Sequence, residues 1–203
     1  REVEGAIIAS VVSELTDVLR LATEMITHKP PIMVGAGIKT GVNIKIDDPG
    51  QLGADLVVGA VAATAKYPKP LVIFDLGTAD TMSVVDADGR FLGGAIMAGP
   101  RLSVDALSSR TSQLPRIDLN VPGKVIASNT VAAMQAGAIY GHAALVDGLL
   151  DRVEEELGKP LGAAVATGGL ARLVVSHCRR DITVDDDLML DGLRIIYEKN
   201  KPL

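Results

Sequence analysis

Two carboxylates stand twenty residues apart in otherwise apolar surroundings: Asp55 in Gly53-Ala54-Asp55-Leu56, and Asp75 in Asp75-Leu76-Gly77-Thr78-Ala79. Asp55 could take a proton from an alcohol, the work of a general base. Asp75 ends an apolar run and leads into a glycine–threonine turn. Such a turn suits metal and phosphate binding, because glycine lets an anion approach the backbone. A base beside a phosphate loop points to phosphoryl transfer onto a small hydroxylated substrate. Each motif also has a plainer reading. Asp and Gly are ordinary turn formers, and a carboxylate in the first turn of a helix is favoured by the helix dipole alone. The residues by themselves leave both readings open.

Other chemistry-bearing groups are weaker signals. Thr167-Gly168-Gly169 joins an apolar segment to a helical one, where glycines admit a flat ligand such as a nucleoside or simply make a tight turn. Asn129-Thr130 reads first as a helix cap. The acidic run Asp185-Asp186-Asp187 reads as a solvated helix start. The three histidines show no ligand spacing and are assigned no role, and the single Cys178 reads as a packed small hydrophobe.

Composition bounds what these groups can belong to. The 203 residues are 48% hydrophobic with only two Phe, three Tyr and no Trp, so the core is built from Ala, Val, Leu and Ile. Twenty-one glycines fit an α/β protein with tight strand-to-helix turns better than a helical bundle. A net charge of −5 without a basic cluster or aromatic platform argues against a nucleic-acid partner. It does not exclude ATP, whose phosphates are met by backbone N–H groups and a metal. One cysteine excludes an intrachain disulfide and fits a cytoplasmic location. No signal peptide is expected, and the most apolar stretch, Val131 to Leu150, is interrupted by Gln135, His142 and Asp147, which argues against a membrane span.

The elements that must position the candidates follow from apolar periodicity and breakers. Strands are expected at Gly5 to Val12, Ile32 to Val34, Leu71 to Phe74, Thr81 to Asp86, Phe91 to Met97 and Ala163 to Ala166. Helices are expected at Thr16 to Ile26, Gln51 to Ala65, Leu102 to Arg110, Thr130 to Leu157, after Gly168-Gly169, and Asp186 to Lys199. The three central strands form a meander through the turn Asp86-Ala87-Asp88-Gly89, as in a mixed sheet. Lys66-Tyr67-Pro68-Lys69-Pro70 is the best linker, which divides the chain into 1–66 and 67–203. Ala132, Ala133, Ala136, Gly137 and Gly141 make a small-residue stripe suited to core packing or to a dimer interface.

Taken in order, Gly37-Ile38-Lys39-Thr40-Gly41, Gly53-Ala54-Asp55, Asp75-Leu76-Gly77-Thr78-Ala79, Gly93-Gly94-Ala95-Ile96, Leu114-Pro115-Arg116, Asn129-Thr130 and Thr167-Gly168-Gly169-Leu170-Ala171 resemble the type III pantothenate kinase family, from about Gly5 to Asn200. The resemblance implies the actin, sugar kinase and heat-shock ATPase superfamily, with two ribonuclease-H-like domains. Residues 1–66 would be the remainder of the first domain, lacking its N-terminal phosphate-loop strands, and 67–203 the second. It implies ATP-dependent phosphorylation of pantothenate to 4'-phosphopantothenate, the first step of coenzyme A synthesis, with magnesium and a monovalent cation (potassium or ammonium), in a homodimer. By matching motif, Asp55 would be the general base. Gly53, Ala54, Leu56 and Ile46 would border pantothenate, and Thr130 would reach it from the partner subunit. Asp75 would hold the monovalent cation, Gly77 and Thr78 would meet ATP phosphate, and Gly168 and Gly169 would lie near the nucleoside.

The chain departs from the family pattern in several places. It has no Asp-x-Gly-Asn-Thr loop. Leu56 stands where the family has Arg, Ile46 where it has Tyr, and Asp80 where it has Thr, adding negative charge near the expected phosphates. Leu56, Ile46 and Asp80 support an alternative: a weak or inactive paralogue acting as a ligand-binding or regulatory accessory protein. A lost Arg contact to a charged ligand costs about 1.5–3 kcal/mol, or about ten- to a hundredfold in affinity. Leu56→Arg is therefore predicted to lower KM for pantothenate by about that factor in an ADP-release assay. Comparable activity of the native protein and the variant would contradict the idea.

Overall fold

The computed structural model describes residues 3–201, so the outer limits of the division drawn above, residues 1 and 203, lie outside the described residues. The chain is α/β. Its frame is a mixed six-stranded sheet of β3 (Asn43–Ile44), β4 (Leu71–Leu76), β5 (Ala79–Val85), β6 (Arg90–Ala98), β7 (Ala163–Thr167) and β8 (Thr183–Val184), in the order β3-β6-β5-β4-β7-β8. The expected meander is present: β4, β5 and β6 are antiparallel neighbours. Its second turn closes as the residues suggested. The Asp86 carboxylate accepts from the backbone N–H groups of Asp88 and Arg90, and Gly89 takes the left-handed conformation with φ +80°. β7 then lies parallel to β4, with Asp75 opposite Thr167.

A second, two-stranded sheet pairs β1 (Ile7–Ile8) in parallel with β2 (Ile32–Met33). The strand expected over Gly5 to Val12 is thus only two residues long, because β2 gives it no longer partner before the chain turns at Gly35. β3 and β8 went unpredicted: two residues each, one of them polar, offer no period to read.

Helices fill three layers around these sheets. α4 (Thr130–Leu157) and α5 (Ala171–Val175) cover one face of the large sheet, burying Phe74, Leu76, Met82, Val146, Leu150 and Val174 together. α3 (Pro100–Arg110) packs beside α4. The opposite face meets α2 (Ala54–Lys66) and α6 (Leu188–Asn200) through Ala60, Ala63, Ile73, Val85, Phe91, Val165 and Leu188. The far sides of α2 and α6 carry the small sheet, on Val34, Val58, Val61 and Ile196. α1 (Ser13–Thr27) has no buried residue. The helix expected from Gln51 is interrupted: Asp48 caps a short 3-10 turn over Pro49–Gln51, and α2 begins only after Gly53.

The segment around Lys66 is firmly tied. The Lys66 ammonium lies 2.6 Å from the Asp185 carboxylate and 2.7 Å from that of Asp191, and the Tyr67 hydroxyl donates to Asp185 at 2.7 Å. Asp185 is buried, so the acidic run before α6 is a correction to the solvated reading: its first member fastens α2 to the start of α6. These donors hold the Asp185 carboxyl below its ordinary value, despite burial pushing the other way.

α2 and α6 cross closely at Gly192. A Cβ there would come within 2.7 Å of Val58 Cγ1 and 2.9 Å of the Val58 carbonyl carbon. Forcing a methyl into such backbone-to-backbone packing costs about 1–3 kcal/mol. Gly192→Ala is predicted to lower the unfolding free energy by that amount, read as a lower urea midpoint at unchanged slope, and an unchanged midpoint would show that the helices part freely.

Candidate active site

Strand pairing decides which residues meet. Side chains alternate along a strand, so Asp75 and its cross-strand neighbour Thr81 share one face, as do Ile73 and Ser83. That face looks toward the N-terminus of α2. There Asp55, Leu56, Gly59, Ile73, Asp75, Thr81, Ser83, Thr167 and Met189 enclose a cavity of about 10 Å³, roughly the room one water molecule needs.

Asp55 sits in the first turn of α2, its Oδ1 accepting from the Leu56 N–H at 2.9 Å. Gly53, the residue before the helix, leaves the space this carboxylate oxygen occupies, since a Cβ at residue 53 would collide with it. Gly53 and Ala54 also border a cleft of about 800 Å³, together with Ser10, Gly35, Gly37, Thr40 and Gln51. The base candidate therefore stands between a substrate-sized cleft and the end of the sheet.

Asp75 is the penultimate residue of β4, just before the Gly77-Thr78 loop. Burial pushes its carboxyl above the ordinary carboxylate range, and the negative charge of Asp55 adds to the effect. Among the described residues its carboxylate has no hydrogen-bond donor and no salt-bridge partner. Gly168, with φ +95°, lets the next loop close on it: a Cβ there would strike Asp75 Oδ1 and lie 2.8 Å from Leu76 N. The Leu170 N–H donates to Leu76 O at 3.0 Å, fastening this loop to the end of β4. The turns Gly77-Thr78 and Thr167-Gly168-Gly169 consequently lie side by side at the carboxyl ends of two parallel strands, the place where open α/β sheets collect ligands.

Several predicted residues fall elsewhere. Ile46 is half-buried and packs with Leu52 and Leu56 against the apolar cluster under α2, so it offers the cavity nothing polar. Leu56 packs in the same cluster while lining the cavity. Thr130 is exposed at the start of α4, which Asn129 caps by accepting from Ala132 N at 2.9 Å. It borders a groove with Ser103, Leu107, Leu114 and His142, across the sheet from Asp55, and one chain does not bring the two together.

Asp80 lies beneath the Gly77-Thr78 turn. It pairs with Leu76 across the hairpin and so points to the α4 side, away from Asp75, with 1% of its surface exposed. Its carboxylate stands outside the Asp55–Asp75 cavity, though the charge of Asp75 still acts on it. Burial raises its carboxyl's pKa, while the Gly77 N–H and His142 pull it down. His142, given no role from the sequence, is buried and donates from Nε2 to Ala98 O at 2.9 Å. Thr81 and Ser83 were missed as well. Their signal was present: polar residues at alternate positions of an apolar strand mark one face for a site.

Fold and cleft define an α/β protein with two glycine loops and a pair of carboxylates at the carboxyl ends of its strands. Residues 1–152 match the model of the type III pantothenate kinase family. A type III pantothenate kinase of Exiguobacterium sibiricum is 45% identical over 200 residues, covering 98% of this chain and 78% of the relative. One of Pelobacter propionicus is 47% identical over 199 residues, with the same shares covered. A Campylobacter jejuni crystal structure, described as a conserved Baf family transcriptional activator, superposes with a TM-score of 0.62 at 17% identity, covering 100% of this chain and 86% of that one. The chain belongs to the type III pantothenate kinase family. No helix among the described residues is long and apolar enough to cross a membrane, and none of their His, Cys, Asp and Glu side chains form a metal-binding cluster of three.

The raised Asp75 pKa has a stability consequence. A carboxyl that binds its proton more tightly when folded stabilises the protein below its unfolded pKa, and that contribution is lost as pH rises through the folded value. Asp75→Asn removes this penalty. Thermal melts are predicted to show the variant more stable than wild type at pH 7, with the gain vanishing below the ordinary carboxylate value of 3.8. A gain that persists at low pH would contradict the assignment.

Proposed function

We propose that this chain is an ATP-dependent pantothenate kinase that forms 4'-phosphopantothenate. The observation that carries the reading is the placement of Asp55, at the N-terminus of α2, against Asp75 and two glycine loops at one end of the sheet, in a chain of this family. In this reading Asp55 orients the primary hydroxyl of pantothenate and accepts its proton as the γ-phosphoryl is transferred. Positioning and charge neutralisation supply most of the acceleration. Gly53 and Ala54 border the acceptor, Gly77 and Thr78 meet the ATP phosphates, and Gly168 and Gly169 leave room for the nucleoside.

The half-buried Asp75 carboxylate, without a donor among the described residues and with a raised pKa, fits a monovalent cation such as potassium or ammonium. When bound, such an ion supplies positive charge beside the phosphates, and magnesium would arrive with ATP. Thr130 would complete the acceptor pocket of the partner subunit in a homodimer, a role supported by its exposure and by the small-residue stripe of α4. The reading also takes the actin-like arrangement of two ribonuclease-H-like halves meeting near Lys66, with α2 and α6 as their contact, and a cytoplasmic location.

ADP release with ATP, magnesium, potassium and pantothenate tests the proposal. Turnover is predicted to fall about a hundred- to ten-thousandfold in Asp55→Asn. Equal turnover in the variant would remove Asp55 from the role. A folded wild-type protein without turnover would favour the ligand-binding or regulatory paralogue, which the apolar Leu56 and Ile46 recommend.

A further inference from the structure

The Gly77-Thr78 turn projects past the sheet and is exposed at Thr78. A two-residue connection of this kind, with a glycine in it, needs something to set its shape before a ligand arrives. Two groups grip it. Asp80 Oδ1 accepts from the Gly77 N–H at 3.0 Å, and the Gly99 N–H donates to Thr78 O at 3.0 Å. Gly99 can do so because it has no side chain: a Cβ there would lie 2.7 Å from Thr78 O and 2.9 Å from Asp80 Oδ1. Behind both stands His142, whose Nε2–H donates to Ala98 O at 2.9 Å and lies 3.8 Å from Asp80 Oδ2. α4 thus braces the end of β6, and the end of β6 braces the turn.

We propose that Asp80 is a positioning residue for this turn, its buried carboxylate fixing the Gly77 amide so that the loop is preset for the nucleotide phosphates. The inference rests on the kinase reading above for the identity of the ligand. Asp80 stands where the family pattern expects Thr, and a threonine's shorter side chain would have to reach the Gly77 N–H in another way. With 1% of its surface exposed and its side chain on the α4 side of the sheet, Asp80 reaches the turn from beneath rather than from the cleft. Burial, with the charge of Asp75 adding to it, keeps the Asp80 carboxyl above its ordinary value, and the Gly77 donor and His142 offset part of that cost. In this chain the turn therefore has a buried acceptor of its own beneath Gly77.

Two readouts on Asp80→Ala and Asp80→Asn test this. The first is amide hydrogen exchange at Gly77 in the nucleotide-free protein, which needs no turnover and reads the turn even if the kinase assignment fails. The second is KM for ATP against KM for pantothenate. Asp80→Ala is expected to speed Gly77 exchange and to raise KM for ATP by about ten- to a hundredfold each, the factor expected for losing one charge-assisted hydrogen bond. KM for pantothenate should stay within about twofold. Asp80→Asn, which keeps an acceptor oxygen at Oδ1, should restore both. If Asp80→Ala does not fold, Asp80→Leu, which is close to Asp in shape but has no acceptor, carries the same test. Unchanged Gly77 exchange would overturn the proposal, as would an unchanged KM for ATP despite faster exchange. So would Asp80→Asn behaving like Asp80→Ala, or a parallel rise in both KM values, which marks general loosening.

Discussion

The parallel pairing of β4 with β7 is the constraint on which the site depends. It sets Asp75 opposite Thr167, so the two strands end at the same level and their following loops emerge together. Were β7 shifted by one residue, its side chains would exchange faces and Thr167 would leave the cavity. Gly168 makes the pairing tolerable, since its left-handed backbone and missing side chain let the second loop fold down over the first strand's end. The same pairing buries Phe74 and Val165 on opposite sides of the sheet, so core packing and site geometry are fixed by one ladder.

Strand alternation then sorts the acidic residues by function. Asp75, Thr81 and Ser83 look toward α2, where Asp55 completes an acidic cavity; Leu76, Asp80 and Met82 look toward α4. Two carboxylates five residues apart in sequence thus serve different ends. Asp75 is left without a donor among the described residues, at a cost in stability that a ligand cation would relieve. Asp80 is buried and bonded, and acts on the turn from beneath. Strain of the first kind is expected at a functional site and the second kind supports it.

Much of this was legible in the residues. The long helix from Thr130, its Asn129 cap and the meander through Asp86 to Gly89 follow from local rules, because apolar period and turn chemistry agree there. Asp55 and Asp75 were visible as unusual carboxylates in apolar runs. Their meeting was not, since it depends on α2 packing over the sheet through Ala60 and Ala63, a contact no local pattern encodes. Asp185 was misread, and the face of Asp80 left open, for the same reason. An acidic residue shows its surroundings only when a partner from a distant element, Lys66 or His142, is placed beside it. The two-residue strands β1, β3 and β8 are set by their neighbours and carry almost no signal of their own.

The central claim is that Asp55 and Asp75 share one electrostatic site poised to take a cation. Titrating the Asp75 carboxyl by ¹³C NMR, in wild type and Asp55→Asn, each with sodium or potassium as the sole monovalent cation, tests it directly. The account predicts an Asp75 pKa above the ordinary carboxylate range, lowered in Asp55→Asn and lowered again by potassium. An ordinary value indifferent to both changes would contradict it.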